Sequence, residues 1–306
     1  MPDALRIGTR RSALATWQAE HVARLLRAAW PGLEVVLVPF VTEGDRTLDR
    51  PLPEIGGKGV FTLEIEAALL DGRVDLAVHS LKDLPTDNPA GIDVGAVPER
   101  ASPGDAWVCP AGHALRDLPA GAVVGTSSTR RAAQLLRLRP DVEVRSIRGN
   151  VGTRVAKVQA GDYAATVLAC AGLERLGRGT DATAVFTMDE MLPAPGQGAI
   201  GVQVRSADDR VRRLVGAIDD AAARACVEAE RHFLAALGGG CSAPVGALGT
   251  AGGGRLALRG RVLSLDGSVC VDVARACVLA PDAAQRLGAA AADEARAQGA
   301  ADLLSP

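Results

Sequence analysis

Leu5-Arg6-Ile7-Gly8-Thr9-Arg10-Arg11-Ser12, near the start of the chain, has an echo at Val124-Gly125-Thr126-Ser127-Ser128. Both read as a strand ending at a glycine and a hydroxyl-bearing turn, with a serine placed to cap the helix that follows. After Ser12 the residues Leu14, Trp17, Leu25, Leu26 and Ala29 keep helical spacing, and each of the two helices passes through a proline to a Glu-Val strand, Glu34-Val35 or Glu143-Val144. Working outward, Leu33–Phe40, Val74–His79 and Ile92–Val97 read as strands and Phe61–Leu70 as a helix. Past Pro98–Gly104 the pattern restarts, with strands at Ala122–Gly125, Val142–Ser146 and Ala164–Ala169. Helices are expected at Ser128–Leu138 and from the cap Asn150 to Gly161. Such β/α alternation implies largely parallel, doubly wound sheets with helices on both faces. The expectation is two similar α/β domains facing one another. The last part differs. Ala221–Leu237 is a long helix, the runs Leu256–Leu265 and Val269–Leu279 flank the hairpin signal Asp266-Gly267, and an Ala-rich helix starts at Pro281. That is a small α+β domain.

A chain of 306 residues with 48% apolar content suits two or three domains. Aromatics make up only 3%, so the cores must be aliphatic. A net charge of −2 argues against general affinity for nucleic acid or an anionic membrane. Arginine dominates the cations, because Lys58, Lys82 and Lys157 are the only lysines. The cysteines are Cys109, Cys170, Cys226, Cys241, Cys270 and Cys277; none forms a C-x-x-C pair and no His cluster joins them, so no metal site is expected. The first residues lack the apolar region of a signal peptide, and no run is long enough to span a bilayer. Free thiols in a cytoplasmic protein fit this pattern best.

Arg10, Arg130, Arg131, Arg148 and Arg154 all lie near the helix starts at Ser12, Ser128 and Asn150. A helix N-terminus offers unpaired N–H groups and partial positive charge, and a guanidinium fork beside it makes a site for carboxylates or phosphates. One such arginine is commonly just a surface group. Repetition at three helix starts points to anionic-ligand binding. In Val78-His79-Ser80-Leu81-Lys82-Asp83-Leu84-Pro85, Asp83 follows a strand ending near His79, and open α/β sheets bind ligands outside the carboxyl ends of their strands. A carboxylate there serves as acid or base, or stabilises a developing cation. The competing reading is a turn, since Asp-Leu-Pro forms turns readily. His79 reads as a packed, hydrogen-bonded residue rather than a base. Gly238-Gly239-Gly240-Cys241-Ser242-Ala243-Pro244 sets one thiol on a loop that is nearly all backbone and exposed enough to react, whereas Cys170 reads as an inert core residue. A turn that happens to carry a cysteine is the plainer reading of the same loop.

Two nucleotide-binding patterns fail. Gly196-Gln197-Gly198-Ala199-Ile200-Gly201 has dinucleotide spacing but leads into the strand Val202-Gln203-Val204, where the fingerprint requires a helix. Gly56-Gly57-Lys58-Gly59 lacks both the spacing and the Ser or Thr of a P-loop, and reads instead as a flexible basic lid.

The chain resembles the hydroxymethylbilane synthase (porphobilinogen deaminase) family of tetrapyrrole biosynthesis. The matching motifs are Gly8–Ser12, Gly56–Gly59, His79–Pro85, Gly125–Arg131, Arg148–Arg154, Pro195–Gly198 and Glu230-Arg231 running to Gly240-Cys241, in the family's order and covering residues 5 to about 250. The resemblance implies an α/β enzyme of two periplasmic-binding-protein-like, doubly wound domains around a cleft, with a small α+β C-terminal domain carrying the thiol. The expected domains are residues 1–98 with 199–216, 104–192 and 220–306, with Ile200–Arg205 returning as a strand of the first sheet. It implies a transferase that joins four porphobilinogens head to tail with loss of ammonia, growing from a dipyrromethane cofactor attached as a thioether to Cys241. Asp83 matches the catalytic aspartate. Lys82, Ser128, Arg130, Arg131 and Arg148 match positions that hold the cofactor, and Arg10, Ser12, Arg154 and Arg175 positions that bind substrate. The expected partner is porphobilinogen alone, with no nucleic acid or membrane, acting on a cytoplasmic monomer. The chain departs from the family at Glu54 and Leu63, where relatives carry basic residues, and at Ala243, where a β-branched residue is usual.

Two other classes share some of these features. A non-catalytic anion receptor shares the two-domain cleft but needs neither Asp83 nor Cys241. A cysteine-nucleophile hydrolase wants a histidine beside Cys241, and His232, nine positions back on a helix, is a poor partner.

Overall fold

The strand opened by Leu5 and Ile7 becomes β1 (Leu5–Arg10) of a five-stranded sheet in the computed structural model, which describes residues 4–42, 62–240 and 243–304. The neighbours are β2 (Val35–Phe40), β3 (Leu76–Ser80), β4 (Ile92–Ala96) and β10 (Ile200–Arg205), in the order β2-β1-β3-β10-β4. β1 is parallel to β2 and β3, whereas β10 is antiparallel to both its neighbours. Helix α1 (Ala13–Ala29) lays Ala19, Val22, Ala23 and Leu26 on one face, against Leu5, Ile7, Leu76 and Val78. Helix α2 (Leu63–Leu70) covers the other with Ile65, Ala68 and Leu69, against Val74, Ala77 and Ile92. The glycine of the opening motif is there for this contact. A Cβ on Gly8 would lie 2.9 Å from Ile65 Cγ2. This sheet belongs to a compact unit of Met1–Ala101 and Ala199–Arg224.

The second unit, Ser102–Gly198 with Ala225–Pro306, repeats the plan. Its sheet has β5 (Asp105–Val108), β6 (Val123–Gly125), β7 (Glu143–Arg145), β8 (Ala165–Ala169) and β9 (Ala184–Val185), in the order β7-β6-β8-β5-β9. β6 is parallel to β7 and β8, and β5 is antiparallel to β8 and β9. Helices α3 (Thr129–Leu138), α4 (Val151–Gln159) and α5 (Cys170–Arg175) connect the strands. Gly125 repeats the role of Gly8, since a Cβ there would lie 2.9 Å from the Tyr163 ring. In the same unit an antiparallel sheet of β11 (Val245–Gly252), β12 (Arg255–Leu263) and β13 (Cys270–Val278) packs on α6 (Ala221–Ala236) and α7 (Ala283–Ala297). Phe233, Leu258, Val262, Leu287 and Ala291 fill its core. The architecture is two doubly wound α/β sheets plus a small three-stranded sheet with helices. No helix among the described residues is long and apolar enough to cross a membrane.

Both sheets are largely parallel, and each takes in one strand running the other way, β10 in the first and β5 in the second. Three strands went unread. β5, Asp-Ala-Trp-Val, is buried along its whole length and so lacks alternation. β9 has only two residues. β11 reads as a loop because of its glycines, which the packing requires: a Cβ on Gly246 would lie 2.8 Å from Leu192 O, and one on Gly249 2.6 Å from Cys226 O. Glu54, the Gly56–Gly59 lid motif and Cys241 lie outside the described residues.

Candidate functional site

In the first unit, β3 runs into a single turn of 3-10 helix, Leu81–Asp83. Leu81 and Leu84 are buried on either side of this turn, and the Leu81 N–H donates to Ala199 O at 3.0 Å. Gly201 leaves room for both leucines, since a Cβ there would come within 2.9 Å of Leu81 Cδ1. The two anchored leucines hold the turn, and Asp83 between them is exposed. It lines a small cavity with Arg10, Ser12, Thr62, His79 and Ser80. Ser12 caps α1, its Oγ accepting from Ala15 N at 3.2 Å. Gln18 in the next turn donates to Ser80 Oγ at 2.9 Å, tying the helix start to the strand end. Lys82 and Arg10 are half-buried. Burial pushes the His79 pKa down to about 4, and the nearby Arg10 charge acts in the same direction, so the ring is neutral at pH 7.

In the second unit, Ser128 caps α3 by accepting from Arg131 N at 3.4 Å. The two arginines after it are buried, and both turn onto one carboxylate. Arg130 Nη1 donates to Asp105 Oδ2 at 2.7 Å, and Arg131 Nε and Nη2 donate to Asp105 Oδ1 at 3.0 and 2.6 Å. Gln197 Nε2 adds a bond to the same Oδ1 at 2.9 Å. Asp105 is fully buried; burial opposes its ionisation, but the two guanidiniums outweigh that and hold its pKa far below the usual range. Two guanidiniums thus share this one carboxylate. Burial lowers the Arg130 pKa, and its Nε has no hydrogen-bond partner among the described residues. An orphaned buried donor on one of two guanidiniums that share a single carboxylate fits an anionic group.

Asn150 caps α4, accepting from Thr153 N at 3.0 Å. Gly149 before it sits at φ +114, and Arg154 Nε donates to its carbonyl at 2.9 Å. Arg148 is half-buried in the same turn. Arg175, at the end of α5, donates to Gly198 O at 2.6 Å, and burial brings its pKa down to about 10.

The structure thus brings Arg10, Ser12 and Asp83 around one cavity in the first unit, with Lys82 in the same turn. In the second unit Ser128, Arg130 and Arg131 gather at one helix start and Arg148 and Arg154 at another, while Arg175 at the end of α5 bonds to the Gly198 carbonyl. Sequence reasoning missed Asp105, and it placed Gln197 and Glu230 in family motifs without a structural role. Asp105 had one visible signal, a lone acid opening an apolar run. Glu230 is fully buried and accepts from Gly196 N and Gly249 N, both at 2.7 Å, so it pins the Pro195–Gly198 segment to β11.

The chain matches two family models, "Porphobilinogen deaminase, dipyromethane cofactor binding domain" over residues 5–213 and "Porphobilinogen deaminase, C-terminal domain" over residues 224–297. It is similar to the porphobilinogen deaminase of Xanthomonas campestris pv. campestris (strain B100), 50% identical over 302 residues and 98% of each chain. It is also similar to that of Roseiflexus castenholzii, 52% identical over 267 residues, 87% of this chain and 88% of the relative. Among solved structures, a YaeC-family lipoprotein from Enterococcus faecalis aligns at 13% identity and a TM-score of 0.42, over 71% of this chain and 92% of that one.

Proposed function

The chain belongs to the porphobilinogen deaminase family, and from that premise we propose that it is a transferase condensing four porphobilinogen molecules head to tail, with loss of ammonia, to form hydroxymethylbilane for tetrapyrrole synthesis. The observation that carries this reading is the exposed Asp83 carboxylate, held by two buried leucines in a cavity that also presents Arg10 and Ser12. As ammonia departs, positive charge develops on the substrate's pyrrole. A fixed carboxylate stabilises that charge and takes up the proton released when the new bond forms. Each pyrrole carries acetate and propionate arms, which are matched by guanidinium forks at helix starts. Arg10, Ser12, Arg154 and Arg175 bind the substrate arms in this reading.

A dipyrromethane, joined as a thioether to Cys241, is part of the proposal and supplies, when bound, the pyrrole carbon from which the product grows. Lys82, Ser128, Arg130, Arg131 and Arg148 would hold its carboxylates. The two guanidiniums that share Asp105 and the orphaned Arg130 Nε fit such a polyanion. A thiolate is a suitable nucleophile for the first alkylation. We further read the protein as a cytoplasmic monomer of three domains, residues 1–98 with 199–216, 104–192 and 220–306. Light scattering on the purified protein checks the monomer.

The test is stoichiometric. Purified protein given porphobilinogen should release one ammonia per porphobilinogen consumed, and its intact mass should exceed the bare polypeptide by one dipyrrole. Protein that carries the adduct yet releases no ammonia would overturn the proposed activity.

A further inference from the structure

Beneath the Asp83 cavity the first unit buries a row of polar side chains that the proposed reaction does not use. His79 on β3, Gln203 on β10 and Glu66 on α2 are 5%, 0% and 4% exposed. Gln203 Nε2 donates to Glu66 Oε1 at 2.9 Å, and Thr62 Oγ1 donates to Glu66 Oε2 at 3.1 Å. A carboxylate only accepts, so Glu66 fixes which end of the Gln203 amide is NH2 and leaves Oε1 as the free end. β10 runs antiparallel to β3 with Gly201 opposite His79 and Gln203 opposite Ala77. His79 and Gln203 are therefore diagonal neighbours on one face, within reach of long side chains. His79 Nε2 and Gln203 Oε1 are both buried with no hydrogen-bond partner among the described residues, and the Gln203 side chain lies close enough to act on the imidazole as a hydrogen-bonding neighbour. The neutral imidazole has one N–H and one lone pair to place.

We propose that Glu66, acting through Gln203, holds the His79 proton on Nε2, so that Nδ1 is presented as a hydrogen-bond acceptor to a ligand N–H in the cavity beside Asp83. His79 lines that cavity with Arg10, Ser12 and Ser80. The ligand half rests on the function proposed above: porphobilinogen offers a pyrrole N–H and an aminomethyl ammonium, both donors. Asp83 then deals with charge while His79 orients the donor. The role is binding and positioning, with no proton transferred.

Two experiments separate the lock from the ligand contact. The chain has four histidines, so long-range 1H–15N spectra of the histidine-labelled holoenzyme can be assigned by the signal lost in His79→Asn. The expected spectrum is that of a neutral ring protonated on Nε2, turning into a tautomer mixture in Gln203→Leu. A proton on Nδ1, a charged ring at pH 7.5, or an unchanged tautomer in Gln203→Leu overturns the lock. In steady-state assays His79→Leu should raise KM for porphobilinogen about 3- to 10-fold, the worth of one hydrogen bond. His79→Asn, whose side-chain oxygen reaches the Nδ1 position, should recover most of that. An unchanged KM in His79→Leu overturns the contact. Absence of turnover in the wild type would sink the functional reading and the contact together, while the spectra still judge the lock.

Discussion

Replacing Asp105 with asparagine should destabilise the second unit by about 3–5 kcal/mol, the usual cost of removing one partner from a buried ion pair. Asparagine keeps the volume and one oxygen. That oxygen can still accept from Arg131 Nε, Arg131 Nη2 and Gln197 Nε2, which all bond Asp105 Oδ1 at 3.0, 2.6 and 2.9 Å. The other oxygen becomes an NH2 group and faces Arg130 Nη1, now 2.7 Å away, so a donor meets a donor. Two guanidiniums, 4% and 6% exposed, then lose the carboxylate they share. For a unit of this size the loss lowers Tm by roughly 6–20 °C. Urea unfolding followed by circular dichroism gives the free energy, and hydrogen exchange on peptides from β5 and β8 assigns it to the right unit. Adding Arg131→Met to Asp105→Asn should recover part of the loss by removing a stranded charge. A loss below about 1 kcal/mol, or no recovery in the double variant, would refute the idea that Asp105 is what makes the paired arginines tolerable in the interior.

Asp83→Asn should slow single-turnover ammonia release from cofactor-loaded protein by at least ~10²-fold, the usual cost of losing one electrostatic stabiliser, with the melting temperature unchanged; a normal rate would leave Asp83 a turn residue. Intact mass of Cys241→Ser should equal the bare polypeptide, and each of the other five Cys→Ser variants should keep the adduct. Arg154→Lys should weaken elongation by about 1.5–3 kcal/mol, because a lysine cannot form the paired contacts of a guanidinium; wild-type turnover would make Arg154 a surface group. His79 has its folded pKa depressed from 6.5 to about 4, so the unfolded chain takes up that proton first. Its contribution to stability is full above about pH 6.5 and is lost, by up to about 3 kcal/mol, as pH falls toward 4. His79→Gln should flatten that stretch of the stability curve, and an unchanged slope would contradict it.

The amino-acid sequence alone determined the helix starts and the strands they follow. Ser12, Ser128 and Asn150 cap their helices through bonds spanning three residues, so a short window of chain holds all the information needed. The hydrophobic period of α1 is an equally local signal. Asp83 was legible for the same reason, since a strand end, a turn and a proline are adjacent in the chain. What those local groups do to one another was not legible. Arg130 and Arg131 look like surface arginines at a helix start, yet only the fold brings Asp105 from β5 to meet them, with Gln197 from far along the chain bonded to the same carboxylate. The order of the strands is likewise tertiary. β10 enters the first sheet antiparallel after an excursion through the second, and β5, lacking alternation, is recognisable as a strand only beside β8. Burial, charge pairing and the tautomer of His79 depend on groups brought together from distant parts of the chain. Short-range geometry is written in neighbouring residues, whereas the desolvation and pairing that set each group's chemistry exist only once the chain has closed around it.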